Sequence, residues 1–312
     1  MEKELRMPLL MPLSDMDTDA FIQFFLKDKN GIKSNLQKQG AVKFQGVQIE
    51  SLGDFQKIVD AISTKFLSYV DGNSPRTKLS GNVYTSTEYD QSQKITMHNE
   101  LSYSAKWPGE LFFSCIEPAQ SGGETLLADS REILKAMDRD IIEEISARGV
   151  IYIRNLHGGM GMGPSWQDTF ETNDKTVAED YCKKYAIEFE WHDDQLLSLK
   201  QASKGIIEHR ETGERVWFNQ IDQFHPSHLG EEIYDIMLGM YDIPEKFPMY
   251  VKFGDGGQIS EDLIKEVLRT VDSVTIAPLW EKNELLIVDN ELMSHGRNPF
   301  TGSRKVLVAM TE

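Results

Sequence analysis

The spacing of hydrophobic residues along the chain predicts a mixture of amphipathic helices and short strands. Apolar side chains recur every three or four residues, as in helices, in segments 17–27, 52–69, 131–148, 176–185, 231–241 and 261–271. Runs of β-branched and aromatic residues predict strands at 41–49, in several pieces between 82 and 129, and at 150–155, 284–288 and 305–310. Segments 205–211 and 214–220 flank Thr212 and Gly213, which predicts a hairpin.

The order of these elements indicates the fold class. Predicted strands come from both ends of the chain and helices lie between them, so we expect the two ends to pair in one β-rich domain. This arrangement favours a mainly β fold with helices, a jelly-roll sandwich with helical insertions, over two separate units. We expect a single domain over residues 1–312, in which about 131–280 contains the insertion and substrate-side elements.

Composition excludes some classes of partner. The chain has 33 basic and 50 acidic residues, a formal charge of −17, which argues against nucleic acid and anionic lipid as partners. No apolar run approaches the ~18 residues of a membrane-spanning helix, and the N-terminal segment lacks the pattern of a signal peptide. The two cysteines, Cys115 and Cys182, cannot form a disulfide framework, so we expect a cytoplasmic protein.

An acidic run near the N-terminus invites a calcium-loop interpretation. Asp15, Asp17 and Asp19 have the spacing of calcium ligands, but a calcium loop also needs glycine at its sixth position and glutamate at its twelfth. Ala20 and Leu26 occupy those positions. Favourable negative charge at a helix N-terminus explains the run better.

Two further motifs have structural interpretations beside functional ones. Residues 157–164, HGGMGMGP, lack the third glycine of a dinucleotide-binding loop and predict a mobile loop that closes over a site. His225 and His228 could be metal ligands. Pro226 and Ser227, which lie between them, are typical of a helix start, and we favour that interpretation.

A histidine followed two residues later by an acid is a common element of metal sites. About one such pair is expected by chance in this composition, and three occur: His98/Glu100, His192/Asp194 and His209/Glu211. Residues two apart share a face only in extended chain. In KITMHNEL the apolar residues alternate, so His98 and Glu100 fall together on the polar face of a predicted strand. The other two pairs lie in polar surroundings, and His98/Glu100 is therefore the strongest candidate.

The C-terminal segment LLIVDNELMSHGRNPFTGSRKVLVAM supplies matching residues. It predicts a buried strand, a polar turn carrying His295 and a second strand opening at Arg304. Two histidines and one carboxylate on one side of a metal leave positions open for a bidentate co-substrate and oxygen, which suits Fe(II). Arg304 would bind the far carboxylate of a dicarboxylic co-substrate. The alternative is a surface arginine at a strand start.

Taken together, these motifs resemble the Fe(II)/2-oxoglutarate-dependent oxygenases of the TauD/TfdA-like superfamily, and especially the branch of the syringomycin-pathway aspartate hydroxylase. The resemblance runs from GAVKFQGVQIES through GGETLLAD to the C-terminal segment and implies a clavaminate synthase-like double-stranded β-helix. It implies that His98, Glu100 and His295 bind iron and that Thr125 and Arg304 bind 2-oxoglutarate. O₂ would take the remaining position.

Departures from the family pattern narrow these expectations. The interval from His295 to Arg304 is shorter than usual, which leaves Lys305 as an alternative partner for 2-oxoglutarate. Val308 stands where the taurine enzymes carry a second arginine for sulfonate, so a taurine-like substrate is not expected. A carboxylate at Glu100 favours hydroxylation, because related halogenases lack this ligand.

The resemblance therefore implies hydroxylation of an unactivated C–H bond of an amino acid, free or carrier-tethered, in natural-product (antibiotic) biosynthesis. Desaturation and epoxidation by the same site stay open, as does a metal-binding jelly-roll protein without catalysis. Tyr103, placed like a substrate-side tyrosine of a clavam-pathway enzyme, and Asn219 are candidates for substrate contact.

Overall fold

A computed structural model describes residues 7–63, 65–73, 76–86, 89–192 and 195–312. Its strands are β1 (Leu9–Met16), β2 (Ala41–Val47), β3 (Lys78–Ser80), β4 (Val83–Thr85), β5 (Ile95–His98), β6 (Glu110–Glu117), β7 (Ser121–Gly122), β8 (Thr125–Asp129), β9 (Val150–Leu156), β10 (Glu188–Trp191), β11 (Leu197–Ser203), β12 (Ile206–Glu208), β13 (Arg215–Trp217), β14 (Met249–Phe253), β15 (Glu284–Asp289), β16 (Met293–Arg297), β17 (Phe300–Thr301) and β18 (Lys305–Thr311). Its helices are α1 (Thr18–Lys27), α2 (Lys29–Gln39), α3 (Leu52–Ile62), α4 (Ser130–Ala136), α5 (Arg139–Arg148), α6 (Trp166–Phe170), α7 (Lys175–Lys184), α8 (Ile221–Phe224), α9 (Glu231–Tyr241) and α10 (Glu261–Ser273), with 3₁₀ turns at Pro226–Leu229 and Pro244–Lys246. Within these ranges, no helix combines the length and apolar character needed to cross a lipid bilayer.

The largest sheet joins the two ends of the chain, as expected. Its seven strands run in the order β1-β2-β15-β6-β18-β4-β3, so N-terminal strands lie beside C-terminal ones. Both faces of this sheet are covered: Leu285 and Ile287 pack against helices α1 to α3, whereas Leu286 and Val288 face the other core. Because successive residues of a strand point to opposite faces, burial on both sides explains the unbroken apolar run of β15.

A second, smaller sheet completes the sandwich. Its strands run in the order β5-β16-β8, and both pairs are antiparallel. Its apolar side chains, including Met97, Leu127 and Met293, share one core with Phe113 and Val306 of the large sheet. The two sheets, antiparallel except for the β1–β2 pair, pack face to face and confirm the predicted jelly-roll class. The small sheet carries the candidate site.

Two predicted helices have different bounds in the structure. The helix predicted over 52–69 ends at Ile62, because Ser63 is extended and the Leu67 N–H donates to the carbonyl of Met310 at 3.0 Å. The helix predicted over 131–148 is divided into α4 and α5, and the Asp138 side chain caps the second piece. Apolar spacing continues through both interruptions, so periodicity alone missed them.

The prediction of a polar turn at His295 is wrong, because this residue lies within strand β16. Sequence analysis also missed α2, β1, β10, β11 and β14.

The predicted hairpin is confirmed as β12 paired with β13. Asp17 caps α1 by accepting from the Ala20 N–H, and His225 caps the turn that starts at Pro226, so both structural interpretations are confirmed. Thr87, Glu88 and Asp194 lie outside the described residues.

Candidate metal centre

Three predicted ligands meet at one end of the small sheet. His98 at the end of β5 is the cross-strand partner of His295 in β16, and their rings lie 4.4 Å apart. Antiparallel partners face the same side of a sheet, which explains why the two imidazoles meet. Glu100 supplies the third group, and one ligand atom from each residue lies within 4.8 Å of the others. All three side chains are buried.

Glu100 reaches this position by a route that differs from the prediction. Strand β5 ends at His98, so extended chain does not continue through Glu100. The chain turns instead, with Leu101 in the left-handed region at φ 57°. Asn290 holds the turn, because its side-chain oxygen accepts from the Glu100 N–H at 2.7 Å and its amide donates to the Glu100 carbonyl at 3.0 Å. A tertiary contact therefore positions this carboxylate.

The hydrogen bonding of the histidines fits a metal ion. His98 Nδ1 lies 2.8 Å from the Thr96 carbonyl, which makes Nδ1 the protonated nitrogen and leaves Nε2 with a lone pair. Burial lowers the pKa of His98 to about 4, so the imidazole is neutral near pH 7. Both ring nitrogens of His295 lack a hydrogen-bond partner among the described residues, and its Nε2 is 3.7 Å from Glu100 Oε2. Buried nitrogens without partners beside a carboxylate are suited to coordination, and this donor set suits Fe(II).

A pocket for an anionic co-substrate adjoins the three ligands. Thr125 and Arg304 line it together with His98 and His295. The Arg304 guanidinium donates to the Gly123 carbonyl at 2.9 Å and to a serine hydroxyl, which are neutral acceptors. Burial lowers the pKa of Arg304 to about 10, as expected for a cation withdrawn from water. An anion bound here would relieve that cost.

The alternative partner, Lys305, has a different location. It is exposed at the start of β18, opposite Glu117 of β6, and it is not among the residues that line this pocket. Thr125 Oγ1 accepts from the Trp280 indole N–H at 2.8 Å, which fixes the hydroxyl beside the histidines. The structure therefore groups Arg304 and Thr125, rather than Lys305, with the candidate ligands.

The two predicted substrate contacts are buried within protein. The Tyr103 hydroxyl donates to the Asp71 carbonyl at 3.2 Å, and its ring packs on Phe224. The Asn219 amide donates to the Gly205 carbonyl at 2.8 Å. Both side chains thus hold neighbouring backbone, and their contact with substrate stays a prediction.

Sequence analysis missed Arg76, which touches the candidate centre. Its Nη2 lies 2.5 Å from Glu100 Oε2, and its guanidinium stacks on Tyr69 at 4.5 Å from the ring centre. Although burial acts in the opposite direction, Arg76 keeps the pKa of Glu100 well below its ordinary value. Arg76 precedes Glu100 by 24 positions in a segment without strand or helix periodicity, so no spacing rule connects the two.

Arg76 also lines a second, larger cavity. It has a volume of about 700 Å³, and its lining includes Tyr69, Asn73, Arg76, Gly163 and Met249. Gly163 belongs to the glycine-rich segment 157–164, whose last two residues border this cavity while residues 157–162 line a different one. Closure of this segment over a site stays a prediction. Arg76 lines both this cavity and the pocket of the candidate ligands.

The jelly roll and its two-histidine, one-carboxylate centre together define a non-haem iron oxygenase. The model of the taurine catabolism dioxygenase TauD, TfdA family matches residues 12–311, and the chain belongs to this family. Fe(II) is accordingly its metal and 2-oxoglutarate its co-substrate.

Curated relatives are similar over most of their length. The dapdiamide synthesis protein DdaC of Enterobacter agglomerans is 32% identical, over 95% of this chain and 88% of the relative. A clavaminate synthase-like protein of Arabidopsis thaliana is 30% identical, over 96% and 90%. Among solved structures, an asparagine oxygenase in complex with Fe(II), hydroxyasparagine and succinate shares the fold, with a TM-score of 0.56 and 12% identity over 94% of this chain and 81% of that one.

Proposed function

We propose that this enzyme hydroxylates an unactivated C–H bond of an amino acid, free or carrier-tethered, in natural-product biosynthesis. The observation that carries the proposal is the complete set of ligand atoms from His98, Glu100 and His295 within 4.8 Å. The carboxylate supports hydroxylation over halogenation, since it fills the position that chloride needs. Similarity to a dapdiamide synthesis protein supports a biosynthetic role.

Each group of residues has a distinct task in this proposal. His98, Glu100 and His295 hold Fe(II) on one side, and Arg304 and Thr125 bind 2-oxoglutarate. When bound, the iron, the co-substrate and O₂ together supply the oxidant that replaces a C–H hydrogen by hydroxyl.

The remaining tasks of the chain are positioning and exclusion of water. Arg304 gives the co-substrate a charge-assisted hydrogen bond whose direction fixes its orientation. Phe113, Val306 and Val308 line the same pocket with apolar surface. Such a lining limits water beside the reacting carbon. We also propose that the chain forms one catalytic domain, because strands from both ends build the sheet behind this site.

An anaerobic titration tests the centre. Fe(II) and 2-oxoglutarate added to the protein are expected to give the visible charge-transfer band of the chelate. Folded protein without that band would contradict the oxygenase assignment. Glu211→Ala is a matched control, because Glu211 pairs with Lys33 at the surface and should leave the band unchanged.

A substrate panel tests the reaction. Free and carrier-loaded amino acids are incubated with Fe(II), 2-oxoglutarate and O₂, and succinate release is measured for each. Mass spectrometry of the product separates hydroxylation and epoxidation, which both add an oxygen, from desaturation, which removes two hydrogens. Succinate release that no amino acid stimulates would count against this substrate class.

A further inference from the structure

Arg76 is a buried cation whose hydrogen-bonding capacity is only partly used. Its side chain is 4% exposed, and within the described part of the chain its one ion-pair contact is Nη2 to Glu100 Oε2. Nε and Nη1 are also buried and have no hydrogen-bond partner among the described residues. Buried donors without partners are rare, because each loses its hydration without compensation. The unpartnered nitrogens therefore indicate a missing acceptor.

The position of Arg76 is restrained by a ring contact and by an anchored neighbour in the chain. Tyr69 stacks against the guanidinium, and the same segment of chain contains Asp71. Asp71 forms a fully buried ion pair with Arg154 of β9, and its carbonyl accepts from Arg154 and from the Tyr103 hydroxyl. A side chain held by stacking and by an anchored segment is preorganised to receive a ligand.

The surroundings of Arg76 indicate what the ligand is. Arg304 already provides a cation in the co-substrate pocket, so a second cation is available to another anion. Arg76 also borders the cavity of about 700 Å³, which is large enough for an amino acid. Each unpartnered guanidinium N–H can donate a charge-assisted hydrogen bond to a carboxylate oxygen.

We infer that Arg76 binds a carboxylate of the substrate and so holds the substrate beside Glu100. This inference rests on the proposed function and deepens it. For a free amino acid the group would be the α-carboxylate. For a tethered amino acid, whose α-carboxylate is a thioester, it would be a side-chain carboxylate.

The test compares acids with their amides on the anaerobic Fe(II) and 2-oxoglutarate form of the enzyme. The probes are the common L-amino acids, their α-amides, and aspartyl, asparaginyl, glutamyl and glutaminyl pantetheine thioesters. Binding is followed through the shift of the charge-transfer band. At least one acid should shift the band, and its amide should bind about tenfold more weakly or worse.

Variants then assign this preference to Arg76. Arg76→Gln should bind the acid and the amide equally, and Arg76→Lys should keep part of the preference. Lys78→Gln is the matched control, because Lys78 is an exposed cation that lines the same cavity, and it should keep the full preference. If Arg76→Gln loses the chelate band, the test relies on Arg76→Lys and on the comparison of acid with amide binding in the unchanged protein.

The outcomes separate this inference from the proposed function. A normal chelate band with no acid that shifts it, or with equal binding of acid and amide, overturns the inference and leaves the oxygenase assignment standing. A loss of 2-oxoglutarate affinity alone in Arg76→Gln also overturns it, since Arg76 would then serve the co-substrate. Absence of the charge-transfer band in the folded, unchanged protein would overturn both the inference about Arg76 and the oxygenase assignment.

Discussion

Among the residues that the structure describes, two buried clusters combine histidine with carboxylates, and only one of the two is suited to a metal. The first contains His98, Glu100 and His295. In the second, His209 lies 3.0 Å from Asp289 and 3.9 Å from Glu291. All six side chains are nearly inaccessible to solvent. Residue types and burial therefore do not distinguish the two clusters.

Hydrogen bonding does distinguish them. In the second cluster His209 uses both ring nitrogens, towards the Thr212 hydroxyl at 2.9 Å and the Asp289 carboxylate at 3.0 Å. Glu291 accepts from Arg210 and from the Trp107 indole. In the first cluster the ring nitrogens of His295 have no such partners among the described residues. A buried cluster whose polar atoms all have hydrogen-bond partners is typical of a structural role, whereas buried nitrogens without partners indicate a ligand site.

The pKa shifts of the two histidines run in opposite directions. Burial lowers the pKa of His98 to about 4, so this imidazole stays neutral and can donate a lone pair. Burial also opposes the charge of His209, but the hydrogen bond and charge of Asp289 outweigh it and raise the pKa. The first environment suits metal coordination, and the second stabilises an ion pair.

Removing a ligand of the first cluster should have the largest effect. Glu100→Ala is expected to abolish hydroxylation and to weaken Fe(II) binding by roughly 100-fold or more, because the metal loses one of three protein ligands. Succinate release and the chelate band measure the two effects. Glu211→Ala, the corresponding change in the His209/Glu211 pair, should leave succinate release and the chelate band unchanged. Full turnover by Glu100→Ala would exclude Glu100 as an essential ligand.

A smaller effect on catalysis is expected from replacing Arg304, the cation in the co-substrate pocket. Arg304→Gln removes a charge-assisted hydrogen bond worth about 1.5–3 kcal/mol, so the KM for 2-oxoglutarate should rise roughly 10- to 100-fold. Lys305→Gln removes the same charge from the next residue. It should change this KM less than twofold, because Lys305 is exposed and an exposed charge interacts weakly. Steady-state kinetics at varied 2-oxoglutarate concentration makes the comparison. A stronger effect at Lys305 would assign the co-substrate to that residue.

The second cluster should respond in stability and leave the chelate intact. His209→Gln is expected to lower the free energy of unfolding by about 1–3 kcal/mol, because buried acceptors lose their partner. The pKa of His209 is raised in the folded state, so its contribution is complete below the ordinary value of 6.5 and is lost as the pH rises through the folded-state pKa. Denaturant unfolding at several pH values should show this loss in the unchanged protein and not in His209→Gln. A lost chelate band in the variant would contradict a purely structural role.

Sequence analysis succeeded where local pattern and residue chemistry were sufficient. The apolar runs of β6 and β15 identified buried strands, and the three residues chosen as iron ligands, His98, Glu100 and His295, lie together. Their role as ligands stays a prediction. Two of the reasons for choosing them were wrong, since Glu100 lies in a turn and His295 lies in a strand. Arg76 was missed, because its contact with Glu100 depends on how a non-periodic segment is anchored by Arg154.

The sequence by itself determined which chemical groups this protein possesses and that strands from its two ends would pair in a jelly roll. Apolar periodicity carries that information, because burial of apolar surface drives the assembly of the sheets. Only the tertiary structure decided which histidine–carboxylate cluster would be left without hydrogen-bond partners. That outcome depends on long-range contacts, such as Asn290 with Glu100 and Asp289 with His209. Hydrogen bonds are short and directional, so they cannot be assigned before the chain has brought distant residues together.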